Sequence, residues 1–198
     1  MKQPGKGLKS PKREVIGTMT HVTPAVVWLV SAILVEAAVI DGLKLRVPNW
    51  LTFHFVLGGL TFAAWTGGAS ALLWSSGGAA LGLALLLPLY AIGGMGAGDV
   101  KLLAGVGAWM GPVLTLGAFV ATAITGGLMA LAMVAWSGQY ARHYAMFHTI
   151  GQEIITLRDP ALLSEKAAAR KPSMMLLPYG IPIAVGSIAY FAWMGIFF

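Results

Sequence analysis

Hydrophobic positions in this 198-residue chain are not spaced to leave one apolar stripe on otherwise polar helices. They run together in stretches of roughly 17 to 25 residues separated by short breaks, the length that carries a helix across about 30 Å of hydrocarbon. The stretches are Pro24 to Ile40, Trp50 to Thr66, Ser70 to Ile92, Val113 to Trp136 and Leu177 to Phe198, with a shorter one from Asp99 to Gly111-Pro112. At roughly 13 residues that short run cannot span alone unless its neighbours cover it or thin the bilayer. The pattern predicts an all-α fold: a polytopic membrane helix bundle with about six transmembrane helices.

The breaks between runs carry their own signals. Pro48 lacks a backbone donor and Asn49 is a good N-cap, so a second helix is expected from Trp50. Gly93, Gly94, Gly96 and Gly98 oppose continuous helix, and Asp99 is expected to open the next one. Residues 1–23 are polar and basic and predict a mostly disordered tail ahead of a transmembrane domain over 24–198. A signal peptide ending at Val35-Glu36-Ala37 is disfavoured, because the apolar run continues to Asp41. The one long polar insertion, at about 139–172, places Tyr140, Tyr144, Phe147, Ile150, Ile154 and Ile155 at spacings of three or four, away from Arg142, Gln152, Glu153 and Arg158. It predicts an interfacial amphipathic helix, aromatic face down in the headgroup region, ending at Asp159-Pro160.

Composition agrees: 58% of residues are apolar and 10% charged, against about a quarter charged in soluble domains. Gly78 with Gly82, and Gly107 with Gly111, have the spacing that lets helix backbones pack closely in a bilayer. The absence of cysteine excludes disulfides, thiol nucleophiles and cysteine-held metals. A net charge of +6 would point to nucleic acid in a soluble protein, but the basic residues here sit in tails and loops, so no nucleic-acid partner is expected. With six crossings, the side of the first loop holds Lys44, Arg46, Lys101, Arg142, Arg158, Lys166, Arg170 and Lys171. The other side holds Lys2, Lys6, Lys9, Lys12 and Arg13, so the positive-inside rule makes the first-loop side cytoplasmic.

Of the seven acids, only Glu36, Asp41 and Asp99 lie in or at the edge of apolar runs, where an ionisable group is costly and is a functional hypothesis by default. Asp41 ends a helix arriving at the first-loop side and Asp99 begins one leaving it, so the two reach similar depth. Each alone could be a helix-end carboxylate in interfacial water, and Asp99 an N-cap. Together in a poorly hydrated site they cannot both ionise cheaply, which supplies an acid and a base able to activate water. Glu36 is expected deeper, as a buried polar contact or a proton partner. His21, His54, His143 and His148 form no convincing metal set, and Lys101 points away from Asp99 and is expected to snorkel to the headgroups.

The segment Gly96-Ala-Gly98-Asp99-Val-Lys101-Leu102 resembles the GxGD motif of intramembrane aspartyl proteases, in the form with a following lysine seen in type IV prepilin peptidases. Asp41-Gly-Leu-Lys-Leu-Arg-Val-Pro48-Asn49 resembles that family's other catalytic segment, and Pro178-Tyr179-Gly180-Ile-Pro182 its ending. The resemblance implies a bacterial inner-membrane endopeptidase that removes the basic leader from prepilins or pilin-like proteins at the cytoplasmic face. It implies Asp41 and Asp99 as the catalytic pair, Gly96, Gly98, Lys101 and Asn49 as substrate-binding or supporting residues, and no cofactor or metal. Larger members carry a cysteine tetrad and also N-methylate the product; a chain without cysteines resembles the short, peptidase-only form of tight-adherence pilus systems. The residues alone also admit a proton- or cation-coupled transporter using Glu36, Asp41 and Asp99, or an inactive pilus assembly factor acting through residues 139–172.

Overall fold

The computed structural model describes residues 22–91, 94–138, 148–149, 151–152 and 177–198. All of the predicted basic tail except Val22 and Thr23, and nearly all of the amphipathic insertion, lie outside the described residues. Within them the chain forms four helices, α1 (Pro24–Lys44), α2 (Asn49–Ala91), α3 (Ala97–Ser137) and α4 (Gly180–Met194), and no strand.

α1 starts where Thr23 accepts a hydrogen bond from the Val26 N–H at 3.4 Å, with Pro24 in the first turn where its missing donor costs nothing. It ends four residues later than its apolar run, at Leu45, whose left-handed backbone (φ 50°, ψ 34°) turns its N–H back onto the Asp41 carbonyl at 2.7 Å. Asp41 therefore sits inside the last turn rather than at the helix end.

α2 has 43 residues and α3 has 41, and either would be about 60 Å long if straight, twice the hydrocarbon thickness. Neither is straight. Gly68 (φ 63°, ψ −151°) breaks α2 and Gly111 (φ 73°, ψ 174°), followed by Pro112, breaks α3, both in conformations that favour glycine. The contacts show how far α2 turns at its break. On the first leg (49–67), Phe55 meets Gly105 and Gly59 meets Ala108, so residue numbers rise together. On the second leg (69–91), Gly78 meets Gly107 and Gly111 while Gly82 meets Leu103 and Ala104, so one rises as the other falls. The two legs run in opposite directions along one segment, residues 97–110. The predicted breaks after Thr66 and at Gly111-Pro112 thus occur, at the non-helical glycines Gly68 and Gly111, where two helical legs meet within α2 and within α3.

That short segment, too short to cross unaided, is covered on its flanks: Leu102 through Ala108 are all buried. The predicted glycine pairs provide the cover, packing on each other across the α2–α3 interface. Polar groups cross the same interface, with the Trp109 indole donating to the Phe55 carbonyl at 2.8 Å and the Ser75 hydroxyl to the Ala108 carbonyl. Beyond Gly111 the second leg of α3 runs antiparallel to α4, with Gly117 against Tyr190, Thr122 against Gly186 and Gly126 near Pro182. α4 and the residues after it lie against α1, from Gly42 with Ile181 to Trp28 edge-on to Phe197.

The outer surface is apolar. Trp65 is 91% exposed and Leu73 74%, which suits lipid and not water. Three of the helices, α1, α2 and α3, are long and apolar enough to cross a membrane, and α4 is a shorter apolar helix. The molecule is a helical membrane protein.

A side chain at Gly78 or Gly107 would enter the opposing backbone, whereas one at Gly77 or Gly127 would enter open space. Gly78→Leu and Gly107→Leu are expected to destabilise the fold by about 1–3 kcal/mol or more, and Gly77→Leu by under about 0.5 kcal/mol, measured by thermal melting in detergent.

Candidate active site

On α1 the buried positions Val27, Val30, Leu34 and Ala37 recur at spacings of three and four, and the next in the series is Asp41. The helix therefore turns this carboxylate inward with the same geometry that buries its apolar side chains, leaving it 3% exposed. One oxygen is compensated: Asp41 Oδ2 accepts the N–H of Gly180, the first residue of α4, at 2.7 Å. A carboxylate at a helix amino terminus also meets the positive end of the helix dipole. A Cβ at Gly180 would lie 2.9 Å from Asp41 Cβ, so only glycine lets α4 come this close.

Asp99 stands on the first turn of α3 and is 5% exposed. It was expected to open that helix, but Gly96 is the N-cap, and Asp99 Oδ2 accepts the Gly96 N–H at 3.0 Å in a capping arrangement. The other oxygen, Asp99 Oδ1, is buried and has no hydrogen-bond partner among the described residues. A buried carboxylate oxygen left open is costly unless it is held for a ligand or for chemistry.

Both aspartates line one cleft of about 340 Å³, with Leu45, Arg46, Val47, Asn49, Met95, Gly96, Ala97, Gly98 and Leu177. The loop after α1 closes onto the start of α3 through Gly98, where a Cβ would lie 2.7 Å from the Val47 carbonyl oxygen.

The structure thus gathers Asp41, Asp99, Gly96, Gly98 and Asn49 around one space. Lys101 lies just outside it and does not reach for the headgroups unaided: its ammonium donates to Asn49 Oδ1 at 3.0 Å, tying α3 to α2. Asn49 is correspondingly the first helical residue of α2 rather than its cap. Glu36 is not buried; it is exposed on the outer face of α1, apart from the cleft. His54 bonds the Trp50 carbonyl of its own helix at 2.6 Å. The sequence offered no sign that Gly180 partners Asp41, or that Arg46 and Met95 line the cleft. The glycine between Pro178 and Pro182 was the available signal, since a glycine opening an apolar helix marks a close approach.

Buried acids paired in one cleft of an apolar helix bundle define a membrane protein whose polar site is built at helix ends. The chain belongs to the type IV leader peptidase family, whose sequence model matches residues 28–131. Membership makes it a protease, a hydrolase. The match spans Asp41, Asp99 and the loops between them and the cleft, and stops short of α4. No curated protein and no solved structure matches the chain.

Gly180→Val is expected to push the Asp41 carboxylate aside and lower peptidase turnover by about tenfold or more, equivalent to about 1.4 kcal/mol. Leader release in membranes, normalised to the amount of inserted protein, measures it.

Proposed function

We propose that the chain is an aspartyl endopeptidase that cleaves the basic leader from prepilins or pilin-like proteins, using Asp41 and Asp99 at the cytoplasmic membrane face. The observation that carries this reading is the convergence of the two aspartates on one cleft in a chain of the leader peptidase family. Each carboxylate is anchored through one oxygen by a backbone N–H, from Gly180 or from Gly96, and Asp99 Oδ1 is left without a partner among the described residues. Fixed donors of this kind hold reacting groups in place without reorganisation during the reaction.

In the mechanism one carboxylate takes a proton from a water held between the pair while that water attacks the scissile carbonyl. The protonated partner hydrogen-bonds the developing oxyanion, and the tetrahedral intermediate collapses as a proton passes to the leaving amine. The missing side chains at Gly98 and Gly96 leave room for Val47 and for the Asp99 carboxylate to pack onto the start of α3, and the Lys101–Asn49 tie holds the cleft's two walls in register. The chain would cross the inner membrane six times, twice each in α2 and α3. The opposed contact registers on either side of Gly68 support this for α2. Residues 1–23 would precede this transmembrane unit, and the insertion at about 139–172 would lie within it, before the last crossing. A transporter reading loses its third carboxylate, because Glu36 faces outward from α1.

Asp41→Asn and Asp99→Asn keep the shape of each side chain and remove its acid–base capacity. Each is expected to lower leader cleavage by about a thousandfold or more with membrane insertion unchanged, read by immunoblot of a co-expressed prepilin. Processed substrate from both variants would overturn the assignment. Orientation is open to a direct test, since the chain contains no cysteine. Lys44→Cys and Ser137→Cys are expected to react with a membrane-impermeant maleimide only from the cytoplasmic side, and Gly67→Cys only from the opposite side.

A further inference from the structure

A second concavity, of about 480 Å³, lies beside the cleft on the outer side of the α1–α2 connection. Its lining is Ile40, Lys44, Arg46, Pro48, Asn49 and Trp50. Two cations stand over it, Lys44 from the last turn of α1 and Arg46 from the loop, both exposed and neither with an acidic partner among the described residues. The nearest carboxylate in sequence, Asp41, is turned inward onto the Gly180 N–H. The start of α2, through Asn49 and Trp50, adds the positive end of a helix dipole to the same space. Ile40 and Pro48 give the pocket an apolar wall, and Trp50, 58% exposed, is the side chain that prefers the boundary between headgroups and hydrocarbon.

We propose that this pocket binds a phosphate group, with the phosphodiester of an anionic lipid headgroup as its source and Ile40 and Trp50 flanking the first part of the acyl chains. Two cations with no acidic partner among the described residues, standing at the membrane boundary, make a site for phosphate, and an apolar wall below them selects a headgroup that carries its own chains. The pocket communicates with the cleft, because Arg46 and Asn49 line both. An occupant that engages Arg46 fixes the connection between Asp41 and α2. On the proposed reading of the substrate it also neutralises charge that would repel a basic leader; this last point alone rests on that reading.

Binding is tested without reference to cleavage. The full-length chain is reconstituted in nanodiscs of phosphatidylcholine with a minor fraction of phosphatidylglycerol, released into detergent, and its retained lipid counted by native mass spectrometry. The wild type is expected to retain phosphatidylglycerol about tenfold over its share of the bilayer, and Lys44→Gln/Arg46→Gln to lose that preference. Ile40→Trp keeps both cations and fills the apolar wall, and is expected to lose it too. Elution and helical circular dichroism identify any variant that fails to fold, in which case the other decides. Excess inorganic phosphate separates the sources: retention in its presence identifies the lipid, and displacement identifies a soluble phosphate at the same cations. No preference in the wild type, or full preference in both folded variants, would overturn the proposal. Loss of cleavage in the aspartate variants leaves this readout untouched.

Discussion

Helices in a bilayer gain little from burying apolar side chains against each other, since lipid tails are as apolar as leucine; they associate where backbones approach closely. The rest of this structure depends on that constraint being met around residues 97–110. Both legs of α2 reach the segment through glycine: Gly59 at Ala108, Gly78 at Gly107 and Gly111, Gly82 at Leu103. Larger side chains at these points would hold α2 away and leave a segment too short to span exposed to lipid at its ends. Asp99 rides on the first turn of that segment, so its depth and direction are set by packing farther along the helix.

Asp41 is placed less directly. α1 touches α3 little, and α4 stands between them, packed on α1 along one side and on the second leg of α3 along the other. The relation between the two aspartates therefore runs from the enclosed leg of α3, round the kink at Gly111, across to α4 and back to α1 through the Gly180 N–H. Each joint in this path is a glycine or a glycine contact, at Gly111, Gly186 and Gly180. Small residues here trade side-chain packing for accuracy of backbone placement, which suits a site where two buried acids from different helices line one cleft.

Much of this architecture was legible from the chain. The apolar runs located every helical leg, because hydrocarbon length is a strong constraint on sequence, and the glycine pairs at 78/82 and 107/111 named the central interface. The two aspartates stood out because charge is rare in such runs. Less legible was how little chain each break uses: a single non-helical glycine, Gly68 or Gly111, joins two legs, and composition does not show how tight such a junction is. Glu36 was misplaced because a run that is apolar all round gives no inner or outer face by period alone; only the series Val27, Val30, Leu34, Ala37, Asp41 shows the inner one, and Glu36 is off it. Asn49 and Lys101 were assigned separate local roles because their hydrogen bond joins residues far apart in sequence.

The contribution of α4 to Asp41 is a main-chain N–H, a group that every amino acid except proline possesses. What distinguishes residue 180 is that it must be small, so α4 informs the site through volume and position while its chemistry is generic. Comparison of side-chain identities can pick out acids, and the family match covers both aspartates without reaching α4. A group supplied by the backbone leaves no chemical signature in the sequence, only an empty place where a side chain would have been.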